Sequence, residues 1–224
     1  MLKQIAKIIL GIALIPFCIG FTWQLGAVLF TSAYKPASPY YFITGILFYL
    51  VVHVLFRKPI FSYVLAHELT HALFAVLSGG SIKSLQASIR GGRVVVSKSN
   101  FLITLAPYFF PFYACIVLLL YGAAVAAHAG VVAAHALTIL SGAAYTFHLA
   151  LTLIFLHEDQ SDIREHGVFF SYPLIYLFNI GFAALLVEIF IAQDMDYFLY
   201  CTGGIMKSTG MLVTLFNKSL ELIR

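Results

Sequence analysis

The sequence predicts an all-α polytopic membrane protein of about six transmembrane helices, with a short β-hairpin after a helix that carries an HExxH motif. Three observations predict it. Of 224 residues, 62% are hydrophobic and only 10% are charged, whereas soluble domains run at about 45–50% apolar and about 25% charged. A chain of this size cannot hide so much apolar surface in its own core, so the excess faces lipid, and the mean hydropathy of +0.97 agrees. Apolar stretches near the ~20 residues that a spanning helix needs recur along the chain, separated by short breaks rich in proline, glycine or charge. A single segment, Ser81–Ser99, has β-prone runs around a glycine pair instead.

The first apolar run, Ile5–Phe30, is longer than the ~7–15 residues of a signal-peptide core and reads as an uncleaved first membrane helix. The Lys35-Pro36-Ala37-Ser38-Pro39 turn breaks it, because proline fixes φ and removes a donor. A second run, Tyr40–Phe56, stops at Arg57-Lys58-Pro59, and a third, Ile60–Leu77, ends at Gly79-Gly80. Gly91-Gly92, between Ile82–Ile89 and Val94-Val95-Val96, reads as the turn of a hairpin. Open strands in lipid leave backbone groups unpaired, so the hairpin must be buried in protein, line a wet cavity or lie at the surface. Two long helices, Phe101–Ala127 and Val131–Leu156, follow, the first kinked at its start by Pro107 and Pro111. A charged segment, His157–Gly167, precedes another span at Val168–Ala192, and the tail Tyr197–Arg224 either spans or lies in the interface. The whole chain, residues 1–224, reads as a single integral membrane domain: two N-terminal helices (1–58), a core bearing the motif (59–192) and a C-terminal helix (193–224).

The net charge of +4 is scattered, which argues against nucleic acid as a partner. Cys18, Cys115 and Cys201 lie far apart in apolar surroundings and read as buried hydrophobes.

The chemistry concentrates in His67-Glu68-Leu69-Thr70-His71. Residues four apart share one helix face, so both imidazoles can reach one Zn²⁺, and the intervening Glu68 is placed to act as general base toward a water at such a site. Zinc hydrolases need a third protein ligand and leave a fourth position open. The flanks, Tyr63–Ala66 and Ala72–Leu77, are apolar all round, and ionisable residues in such a helix are costly in lipid unless something such as metal ligation offsets the cost. The helix offers no third ligand on the same face. Asp159 and Asp162 lead the candidates, with His157 and His166 also possible. His53, His128, His135 and His148 read first as packing residues, His148 being notable because it precedes the acidic segment on the same helix. Asn179 reads as interhelical glue.

Charge placement gives an orientation. Lys3, Lys7, Arg57 and Lys58 share one side if the first two helices cross, and the positive-inside rule makes that side, with the N-terminus, cytoplasmic. Lys83, Arg90, Arg93 and Lys98 obey the rule if the hairpin folds back toward the same side. Two further crossings then return Asp162 to the leaflet of His67, which lies about 15 Å below Arg57 at 1.5 Å per residue.

Ala66-His67-Glu68-Leu69-Thr70-His71-Ala72-Leu73, followed by Ala75 and Gly79-Gly80, resembles the site-2 protease family of intramembrane zinc metallopeptidases, as does the hairpin at Gly91-Gly92. Ser161-Asp162-Ile163 is similar to the Ser-Asp form in compact members without a PDZ domain. The resemblance implies zinc held by His67, His71 and Asp162, with Glu68 catalytic and a membrane-anchored protein as substrate. The longer family motif, with Asn, prolines and an Asp-Gly pair, is missing, so Asp159 stands as the alternative third ligand. Two other functional classes compete: a zinc-binding membrane carrier or sensor without peptidase activity, and a membrane scaffold.

Overall fold

A computed structural model describes residues 2–32, 39–158, 160–192 and 196–223. The turn expected at Lys35–Pro39 lies, up to Ser38, outside the described residues. Helices dominate, in the order α1 (Leu2–Ser32), α2 (Pro39–Leu55), α3 (Ile60–Leu77), strands β1 (Ile82–Ser88) and β2 (Gly91–Val96), then α4 (Phe101–Phe109), α5 (Phe112–Ala126), α6 (Val131–Leu156), α7 (Ser161–His166), α8 (Val168–Phe190) and α9 (Tyr197–Ile223).

Among these, α1, α3, α6 and α8 are long and apolar enough to cross a membrane, and α4 with α5 forms a fifth candidate bent by 72°. The expected count of about six is not reached by this measure. The α2 helix has 17 residues, the lower limit for a span, and α9 is amphipathic. Large apolar side chains point outward from most helices, among them Trp23, Leu47, Val54, Leu119, Val132 and Leu153, as lipid-facing surfaces require.

The chain divides into two compact units. In the first, Met1–Ala37 with Ile163–Arg224, α1 packs on α8 and α9. Its core holds Leu25, Ala184, Val187, Ala192 and Tyr200, and the Tyr200 hydroxyl donates to the Phe21 carbonyl.

The second unit, Ser38–Asp162, contains α2 to α6 and the hairpin. The α2 and α6 helices approach closely where Gly45 meets the Ile139 carbonyl and Gly142 meets that of Phe42, positions where a side chain would strike backbone. The α3 helix is wrapped by α4, α5 and both strands. The two strands pair antiparallel with Ser88 opposite Gly91. The turn is therefore Ile89-Arg90, two residues earlier than expected, with Gly91 at φ 132° and Ser88 Oγ closing it onto the Gly91 carbonyl. Gly91 and Gly92 open the second strand instead of forming the turn.

The break between α4 and α5 follows from its prolines. Pro111 has no N–H to continue the α4 ladder, and α5 starts directly after it. Pro107 stays inside α4, which Asn100 caps by accepting from the Ile103 N–H at 2.9 Å. From Ile103 to Phe109 this short helix is wholly buried.

Candidate metal centre

His67 and His71 lie one turn apart on α3, and their Nε2 atoms are 3.2 Å from each other. Asp162 brings its Oδ2 to 3.5 Å from each of them. No other group of three or more His, Cys, Asp or Glu among the described residues converges in this way. Asp159 lies outside the described residues.

The donor set fits a metal ion on two counts. The His71 Nδ1–H donates to the Ile103 carbonyl at 2.7 Å, since a carbonyl can only accept. That fixes the tautomer and leaves the Nε2 lone pair facing the cluster. With the Asp162 oxygen opposite, acceptors face acceptors, an arrangement a cation relieves. The spacing agrees. Ligand atoms bonded at about 2.0–2.1 Å in a tetrahedron sit about 3.3–3.4 Å apart, close to the 3.2, 3.5 and 3.5 Å found here. A distance of 3.5 Å is too long for a good hydrogen bond, so direct ion pairing explains the cluster less well than ligation does.

Glu68 is buried, 6% exposed, beneath the hairpin. The Val94 N–H donates to its carboxylate. A Cβ on Gly92 would stand 2.5 Å from Glu68 Oε1, so only glycine lets β2 lie this close. Gly92 thus has a tertiary reason, its contact with Glu68, to sit in the strand and not in the turn.

Two contacts were not foreseen in the sequence. The Tyr108 ring stands edge-on to His67, with centroids 5.1 Å apart. Its hydroxyl donates to Asp162 Oδ2 at 3.0 Å and lies 3.3 Å from Gln160 Oε1. One turn before His67 on the same helix, Tyr63 stacks on Phe155 and meets the Thr152 hydroxyl at 3.4 Å. His67 and Thr70 line a small cavity there with Tyr113, Phe147 and His148.

The remaining histidines stay apart from the cluster. His53 lies by the Tyr49 hydroxyl at 3.3 Å, and His135 stacks on Tyr41 at 3.8 Å. The His157 Nδ1–H donates to the Leu153 carbonyl of its own helix, and His166 accepts from Lys7 at 2.7 Å. His128 occupies a turn at φ 50°. His148 is buried in the cavity wall but is not one of the converging ligands. The Asn179 amide donates to the Ile175 carbonyl, one turn back on α8.

No protein-family model, curated protein or solved structure matches the chain. The functional reading therefore rests on the residues and their geometry.

Proposed function

We propose that the protein is an intramembrane zinc endopeptidase, similar to the site-2 protease family, that cleaves membrane-anchored proteins in or near their transmembrane segment. The convergence of His67, His71 and Asp162 beside Glu68 on an apolar helix carries this reading. Two imidazoles and one carboxylate form a mixed N/O set of the kind zinc hydrolases use. Bound zinc supplies Lewis-acid polarisation of the scissile carbonyl and lowers the pKa of water toward about 7.

The chain's own residues supply the remaining chemistry. Glu68 accepts the proton of the attacking water and hands it to the leaving amine nitrogen as the peptide bond breaks. Its burial between α3 and the hairpin keeps bulk water away from that proton. Strand β2, running past Glu68, offers an edge on which an unwound stretch of substrate can pair. Unwinding is required because helical amides are shielded by their own hydrogen bonds. The N-terminus is cytoplasmic in this reading, with the metal ligands in the cytoplasmic leaflet.

A Glu68→Gln variant tests the reading. Zinc content of the purified protein should equal that of the wild type, while cleavage of a membrane-anchored reporter falls at least about 100-fold, the range of a lost general base. Unchanged cleavage would eliminate Glu68 as the base. Zinc retained by a wild type that cleaves nothing would favour a carrier or sensor, and a metal-free wild type would favour a scaffold.

A further inference from the structure

Three of the contacts that orient the candidate ligands come from one short helix. Within an α-helix each carbonyl accepts from the N–H four residues on. The residue four beyond Ile103 is Pro107, which has no N–H. The Ile103 carbonyl, buried in α4, is therefore left without its ladder partner, and His71 Nδ1–H takes it at 2.7 Å. The next residue, Tyr108, sets its ring edge-on to His67 and its hydroxyl on Asp162 Oδ2 at 3.0 Å. Asp162 sits in a six-residue helix beyond a charged loop, so a tether from the buried α4 fixes what its own element does not.

We propose that α4 is the positioning element of the metal centre: Pro107 withholds an N–H so that the Ile103 carbonyl orients His71, and the Tyr108 hydroxyl orients Asp162. This rests on the metal-centre reading above. Neither residue is a ligand, and neither touches the reacting atoms. Proline inside a helix is normally unfavourable, and here the freed carbonyl is used by a side chain from another helix. Partners beyond the ligands of this kind fix tautomer and ring orientation, and losing one typically weakens metal binding about 10- to 100-fold.

The test uses the full chain in detergent, with Zn²⁺ affinity read by chelator competition, coordination geometry by the visible absorption of the Co²⁺ form, and thermal unfolding of the metal-free protein. Tyr108→Phe keeps the ring and removes the hydroxyl. Pro107→Ala restores the N–H that competes with His71 for the Ile103 carbonyl. Each should weaken Zn²⁺ binding about 10- to 100-fold and alter the Co²⁺ spectrum, with metal-free melting unchanged in Tyr108→Phe and unchanged or raised in Pro107→Ala. Tyr113→Phe, which removes a hydroxyl that donates to the Ser62 carbonyl instead, serves as the control and should leave affinity within about threefold. Wild-type-like affinity in both α4 variants would overturn the inference while leaving the metal centre intact. So would an equal loss in the control, or a loss that merely tracks lower metal-free melting. A wild type that binds no Zn²⁺ would instead overturn the metal centre, and this inference with it.

Discussion

Asn179 on α8 and the HExxH residues on α3 are polar interruptions of apolar spans, and their side chains find partners in different ways. On α8, the Asn179 amide turns back to Ile175, four residues earlier on the same helix. On α3, Thr70 does the same, returning to the Ala66 carbonyl at 2.7 Å. The other polar groups of α3 reach outward: His71 to Ile103 and, with His67, to Asp162, Tyr63 to Thr152, and Glu68 to Val94. A polar group satisfied by its own helix can be accommodated anywhere along a span. Groups that depend on several separate elements require those elements to be held together, and such demand marks a site in a membrane protein.

The largest effect should come from breaking the outward set at Asp162. In Asp162→Ala the two imidazoles lose the carboxylate that converges with them, and two of the three candidate ligands remain. Adding Zn²⁺ at about a thousand times the Kd should stabilise the wild type by about 4 kcal/mol, seen as a rise in thermal midpoint. The variant should show no such rise and should lose its metal to a mild chelator. A midpoint that rises equally in Asp162→Ala would remove Asp162 from the ligand set.

A smaller and more local effect should follow from Gly92→Ala. The added methyl stands 2.5 Å from the Glu68 carboxylate, and the hairpin, largely exposed, is the part able to yield. Folding stability should therefore change by less than about 1 kcal/mol, below the 1–3 kcal/mol of an overpacked core. Reporter cleavage should fall at least about tenfold, because the carboxylate and its Val94 donor are pushed apart. Cleavage unchanged in Gly92→Ala would mean that the hairpin's closeness to Glu68 has no part in the chemistry.

How much of this was legible in the sequence depends on the range of each signal. The HExxH pair was readable because its geometry is set within one helical turn. The hairpin and four or five of the about six expected spans were readable from hydropathy and β-propensity, although the turn was misplaced by two residues. Turn chemistry favoured Gly91-Gly92, and the contact that draws Gly92 into the strand, with Glu68, is tertiary. Asp162 was reached partly through a resemblance, since nothing local distinguishes it from Asp159. Tyr108 was not foreseen, because an aromatic in an apolar run looks like lipid-facing or core surface until the helix break at Phe110-Pro111 turns it inward. A local clue did exist in Pro107: proline inside an apolar run implies an open carbonyl four residues earlier, and a buried open carbonyl needs a donor.

The smallest effect should come from Asn179, which is not among the converging side chains. Asn179→Leu removes an amide that donates to the Ile175 carbonyl of its own helix, and that carbonyl keeps the backbone partner that α8 provides. Side-chain hydrogen bonds in membrane helices average about 0.6 kcal/mol, and leucine returns some packing. Stability in a denaturant titration should thus shift by less than about 1 kcal/mol, with Zn²⁺ affinity unchanged. A tenfold loss of affinity in Asn179→Leu would show that a residue bonded back to its own helix can still serve the site, and the contrast between Asn179 and the HExxH residues would fail.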